Sequence, residues 1–190
     1  LTLSVEGYYK RMRNLPLIYD SDDFLLSNGG FIYGTGRAFG IEAMLQYQTE
    51  RLSLTASYTY TDSRRRSDGV TYPFEYDVPH DFNAFVSYDV VKRPGRKHTF
   101  SLNVAWRSGL PYRLTNESYP DTDGNPIIGI TAYPTMRMHN YFRADVSYNM
   151  ERCKRNGVRN WQFSIINATW HKNPVSIYPY RGSYKATVLI

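Results

Sequence analysis

The residue groups with types and spacing suited to chemistry are few, and each points to a different reaction. Asp77, His80 and Asp81 fall within five residues and offer the carboxylates and imidazole of an acid–base site. No nucleophile accompanies them, and a hydrogen-bonded junction between loop and strand accounts for the same residues. Gly34, Gly36 and Gly40 have the composition of a phosphate-binding loop. A dinucleotide fingerprint, however, follows a strand and opens a helix, whereas these glycines lead into a strand. Asp121-Thr-Asp-Gly-Asn125 carries the alternating oxygens of a calcium loop, but Gly124 comes two places early and Ala132 stands where a bidentate Glu is needed. It reads as a turn. His80, His98, His139 and His171 are dispersed without ligand spacing, and the lone Cys153 excludes both an internal disulfide and a four-cysteine zinc site. Neither catalytic nor cofactor nor metal residues are expected, and the chain does not read as an enzyme.

Aromatic side chains are the other candidates. Tyr112, Tyr119, Tyr133, Trp170, Tyr178 and Tyr180 lie in loop-like stretches, and their rings can stack on a sugar, a haem or a catecholate. The same rings can equally pack loops against each other. The net charge of +6 raises nucleic acid as a partner. Its basic residues sit in separate clusters, Lys10 to Arg13, Arg64 to Arg66, Lys92 to Lys97 and Arg152 to Arg159, without one continuous basic face bearing base-stacking rings. No nucleic-acid partner is expected.

These residues must be positioned by strands. In Leu52-Ser-Leu-Thr-Ala-Ser-Tyr-Thr-Tyr-Thr61, Leu52, Leu54, Ala56, Tyr58 and Tyr60 share one side while the hydroxyls share the other. Similar alternation predicts eight strands, Leu1 to Arg11, Phe39 to Gln48, Leu52 to Asp62, Asp81 to Val91, Thr99 to Arg107, Tyr141 to Met150, Asn160 to Ala168 and Gly182 to Ile190. Their connections alternate in length. Thr49 to Arg51, Lys92 to His98 and Glu151 to Arg159 are short; Asn14 to Ala38, Ser63 to His80, Ser108 to Asn140 and Thr169 to Arg181 are long. The layout is that of an all-β, antiparallel, up-and-down transmembrane β-barrel segment with short periplasmic turns and long extracellular loops. A mean hydropathy of −0.53 does not oppose this, because a barrel strand is apolar on one face only.

Assigning heights along alternately rising and falling strands sorts the apolar face. Leu3, Val5, Ile41, Ala43, Leu45, Leu54, Ala56, Ala84, Val86, Leu102, Val104, Ala144, Val146 and Ile165 form a middle belt without a charge. Tyr9, Phe39, Tyr58, Tyr60, Phe82, Trp106 and Phe142 lie above it, and Tyr47, Tyr88, Phe100, Tyr148 and Trp161 below. Two aromatic girdles around an aliphatic belt match a wall in outer-membrane lipid. Thr2, Ser4, Glu6, Glu42, Gln46, Thr55, Ser57, Asn83, Ser87, Ser101, Asn103, Arg143, Asp145, Ser147 and Gln162 face the opposite way, toward a lumen. A dry core would not accept so many polar groups.

Five segments carry a family resemblance. Gly34-Thr-Gly-Arg-Ala-Phe-Gly-Ile-Glu42, Tyr76-Asp-Val-Pro-His-Asp-Phe82, Ser108-Gly-Leu-Pro-Tyr112, Arg143-Ala-Asp145 and Ile166-Asn-Ala-Thr-Trp-His-Lys-Asn-Pro174 resemble, in order, motifs of TonB-dependent outer-membrane receptors, especially those of the Bacteroidetes type. The family's usual Tyr or Phe near the last turn is Trp170 here. The resemblance implies a place in a barrel of about 22 strands closed around a plug. It implies active uptake of a scarce nutrient such as a siderophore, haem, cobalamin or an oligosaccharide, with energy passed through TonB. It implies as partners outer-membrane lipid, the TonB complex acting through an N-terminal region outside these residues, the imported ligand, and in some members a surface lipoprotein. Residues 1–190 are then expected to be a C-terminal barrel segment, with the plug and earlier strands absent and the final strand truncated. Two rivals are a complete eight-stranded outer-membrane barrel and a soluble carbohydrate-binding β-sandwich.

Overall fold

The computed structural model describes residues 1–17, 32–67, 69–113, 118–120, 126–128, 133–180 and 183–189. All regular structure among them is strand. In chain order these are β1 (Thr2–Leu17), β2 (Ile32–Gln48), β3 (Leu52–Ser67), β4 (Val70–Pro73), β5 (His80–Arg93), β6 (Arg96–Arg107) and β7 (Pro111–Tyr112). They continue as β8 (Ser118–Pro120), β9 (Pro126–Ile128), β10 (Met136–Arg137), β11 (Tyr141–Lys154), β12 (Gly157–Ile165), β13 (Asn173–Tyr180) and β14 (Ser183–Leu189).

The main sheet runs β1-β2-β3-β5-β6-β11-β12, every pair antiparallel, with β4 added beside β3. Short turns join the strands at one end, Gly95 and Gly157 taking up positive φ in two of them. At that end Thr49 Oγ1 accepts from the backbone N–H of Leu52 at 3.0 Å and closes the first turn. Long connections occupy the other end. This is the expected up-and-down layout.

Register settles the faces, because directly paired residues point to the same side of a sheet. Leu3, Leu45, Ala56, Ala84, Val104 and Ala144 form one unbroken cross-strand row, and Leu54, Val86, Leu102, Val146 and Ile165 another. The expected belt therefore lies on one face across all seven strands of the path. The opposite rows, such as Thr2, Gln46, Thr55, Phe85, Asn103 and Asp145, are mostly polar. Met44, Phe85 and Ala105 are apolar members of that face.

Among the described residues no second layer covers the aliphatic face. Leu3, Val5, Ile41 and Ile165 each expose more than half of their surface, and among the belt residues Ala144 alone is buried. A sandwich would hide this face in its core, so the sandwich reading fails on burial.

Two expectations need correction. The strands nearest the long loops extend further than the sequence pattern indicates, with β1 reaching Leu17, β2 starting at Ile32 and β3 ending at Ser67. Ser63 to Ser67 are polar on both faces of β3, and the run Leu15-Pro-Leu17 in β1 is apolar without a break, so alternation fades although the hydrogen-bond ladder continues. Asn14, at φ 53°, takes the extra residue of a bulge in β1, a conformation Asn tolerates better than most residues. The predicted eighth strand, Gly182 to Ile190, does not join the main sheet. Its residues form β14, paired in a hairpin with β13, which lies in the segment expected to be loop. Tight local pairing of Asn173 with Leu189 through Tyr180 with Ser183 outweighs a distant partner.

Candidate functional site: the aliphatic wall and its rim

At the upper margin of the belt, Tyr58, Phe82, Trp106 and Phe142 stand in one cross-strand row, with Tyr60 beside His80 and Tyr9 beside Phe39 in the rows above. His80 belongs to this girdle: its ring lies 5.4 Å from Tyr60, 6.1 Å from Tyr58 and 6.2 Å from Trp106, and its Nδ1 shares a 2.7 Å hydrogen bond with the Tyr58 hydroxyl. At the lower margin Tyr88, Phe100, Tyr148 and Phe163 share a row, and Trp161 stands beside Met150. Tyr47 pairs with Leu54 on the same face. His98 bonds the Tyr148 hydroxyl through Nδ1 at 2.5 Å. Amphipathic rings with satisfied polar tips suit the boundary between apolar and wet surroundings. Sequence reasoning missed His80, His98 and Phe163, although each stands two residues from a girdle or belt residue and parity alone places it.

The Asp77, His80 and Asp81 group does not converge. His80 turns to the aromatic girdle, while Asp81, in the row of Thr59 and Arg107, accepts from Asn83 Nδ2 at 2.6 Å on the polar face. Asp77 is buried at the rim. It accepts from the Ser63 N–H at 2.7 Å and pairs with the Arg137 guanidinium, which also donates to the carbonyls of Asp77 at 3.0 Å and Gly109 at 3.2 Å. One carboxylate thus ties together the end of β3, the approach to β5 and both arms of the loop between β6 and β11. Geometry gives this cluster a positioning role, not an acid–base one.

Several motif residues have a steric or hydrogen-bonding reason. Tyr8 lies across Gly40 to reach Thr61 Oγ1 at 2.8 Å, and a Cβ at Gly40 would stand 2.7 Å from the Tyr8 hydroxyl and 2.4 Å from the Tyr60 carbonyl. At Gly109 a Cβ would fall 1.7 Å from the carbonyl oxygen of Met138, so only glycine fits. On the polar face Arg143 and Asp145, two apart in β11, pair at 2.7 Å. Beyond the end of β12, side chains take over the exposed edge of β11. Asn167 N–H donates to Asp145 Oδ1 at 2.8 Å, while the Asn173 amide accepts from the Phe142 N–H at 2.8 Å and donates to its carbonyl at 2.9 Å.

The six aromatic ligand candidates separate. The Tyr112 hydroxyl donates to the carbonyl of Ile177, tying the long loop to β13, and Tyr133 packs on Tyr72 at 4.4 Å. Both already hold loops together. Trp170, at φ 57° beyond the Asn167 turn, leaves 72% of its surface open. The side chains of Tyr119, Tyr178 and Tyr180 lie outside the described residues, as does the whole turn Asp121–Asn125.

A charge-free aliphatic belt between aromatic rows, backed by a polar face and crowned by long loops, defines the wall of an outer-membrane β-barrel. Residues 1–169 match the family described as TonB dependent receptor-like, beta-barrel, and the chain belongs to that family. Its place is the bacterial outer membrane, and its class is that of TonB-linked uptake receptors and not of enzymes. No curated protein and no solved structure matches it.

Proposed function

We propose that the 190 residues are a C-terminal section of the barrel wall of an active importer for a scarce nutrient: a siderophore, haem, cobalamin or an oligosaccharide. The observation that carries this reading is the register. It keeps the belt on one face and a polar lining on the other across the seven-strand path, while β1 and β12 pair with each other nowhere among the described residues. Further strands, a plug and a TonB-contacting region then belong to the same receptor beyond this segment. An open sheet cannot close a lumen alone, which weighs against a complete eight-stranded barrel. Ligand recognition falls to the long loops and upper lumen. Trp170 is the stacking residue least committed elsewhere; Tyr119, Tyr178 and Tyr180 remain candidates beside it, and Tyr112 and Tyr133 shape the loops that present them.

The test is accumulation of labelled compounds from those four classes by cells carrying or lacking the full receptor, in backgrounds with and without TonB. One class should accumulate only when both are present. Accumulation that ignores TonB would replace active import with passive diffusion.

A further inference from the structure

The face that carries the belt does not become featureless above its upper girdle. One two-residue step beyond Tyr9, Phe39 and Asp62, which stand in a single row, the register places Arg11, Arg37 and Arg64 directly opposite one another on three adjacent strands. Arg66, one step further along β3, faces the same way beside Thr35 and Thr71. These side chains border a cavity of about 350 Å³ whose lining includes Tyr9, Arg11, Arg37, Arg64, Arg66 and Thr71.

Like charges directly opposite in a sheet repel, so such a row needs a counter-charge. Among the described residues only Asp62 answers it, pairing with Arg64 at 2.8 Å. That pair holds the Arg64 guanidinium above its usual pKa, and Arg11, Arg37 and Arg66 are exposed without a carboxylate partner among the described residues. Four planar guanidiniums against one carboxylate fit a ligand with more than one phosphate.

Position identifies the source of that phosphate. A transported ligand travels on the polar, luminal side of the wall, and these arginines stand on the other side. Two residues of strand rise about 3.3 Å each, so a strand tilted by about 40° lifts the row about 5 Å above the rings. That is the depth of the headgroup layer, which adds about 5–7 Å beyond the hydrocarbon on each side. The long-loop end is the extracellular one. We infer that Arg11, Arg37, Arg64 and Arg66 form a docking site on the outside of the barrel for the phosphorylated headgroup of an outer-leaflet glycolipid.

Native mass spectrometry of the full-length receptor in detergent tests this with three probes: diphosphoryl lipid A, dephosphorylated lipid A and inorganic pyrophosphate. Diphosphoryl lipid A should bind at least about tenfold more tightly than the dephosphorylated form, and the double variant Arg11→Gln, Arg37→Gln should lose about tenfold. Lys154→Gln with Arg155→Gln removes equal charge at the periplasmic turn and should change binding by less than about twofold. Heat-dependent gel migration reports folding; should the double variant misfold, Arg66→Gln alone should still weaken binding by about threefold. Pyrophosphate bound as tightly as the lipid would overturn the lipid assignment. Lipid binding unchanged in the folded arginine variants would overturn the site.

Discussion

The belt and the rim of this wall solve the same problem with different bonds. In the belt, rows such as Leu54, Val86, Leu102, Val146 and Ile165 are held by the backbone ladder, and their side chains meet lipid, not one another's polar groups. At the rim beside β5, β6 and β11 the ladder stops. There Asp77, Arg137, Asp145 and Asn173 hold neighbouring segments through hydrogen bonds to backbone groups. The difference teaches that a regular hydrophobic pattern specifies the belt collectively, whereas the rim depends on a few individual side chains. Single substitutions should therefore fail in different ways in the two regions.

The largest effect should come from a charge in the belt. Val86→Arg or Val104→Arg in the full receptor should cost about 2–4 kcal/mol at the bilayer midplane and abolish the heat-modifiable, inserted species. Ser87→Arg and Asn103→Arg, one residue away on the polar face, should leave insertion intact. Equal loss on both faces would refute the assignment of lipid and lumen.

A smaller effect should follow from cutting the rim at its most buried carboxylate. Asp77→Ala leaves the Ser63 N–H without its acceptor and the Arg137 guanidinium without its carboxylate, and should cost about 1–3 kcal/mol. Protease added outside intact cells should then cleave the loop between β6 and β11 faster, while the inserted fraction stays unchanged. Loss of insertion would mean that rim and belt are one cooperative unit.

The smallest effect sharpens the boundary between the two. Tyr8→Phe removes the exposed bond to Thr61 while keeping the ring over Gly40, and should cost no more than about 0.5 kcal/mol in urea unfolding from vesicles. A loss as large as that of Asp77→Ala would place Tyr8 among the rim's essential ties.

Much of the belt was legible in sequence because its information is periodic. Leu52 to Tyr60 declares its face by alternation alone, and the same parity would have placed His80, His98 and the arginine row had it been followed past the apolar residues. The rim ends of β1 and β3 were not legible, because neither the apolar run Leu15-Pro-Leu17 nor the polar run Ser63 to Ser67 alternates. Nor was the rim, whose content is pairing over distance: nothing near Asp77 in sequence announces Arg137, sixty residues away. Recognising the Asp-x-Pro-His pattern located the junction without revealing its partner. For β14 the pattern gave a strand but not its neighbour, since alternation is silent about pairing.

The tie between buried Asp77 and Arg137 bears on how such a protein can change over generations. It lies at the base of the long loops, so the strand ends are pinned below the point where the loops diverge. Insertions or rewritten sequences in residues 114–132 need not disturb the register underneath. The wall then works as a fixed chassis, and loop sequence can be rewritten without shifting the strands beneath it, so long as that one carboxylate and its arginine stay in place.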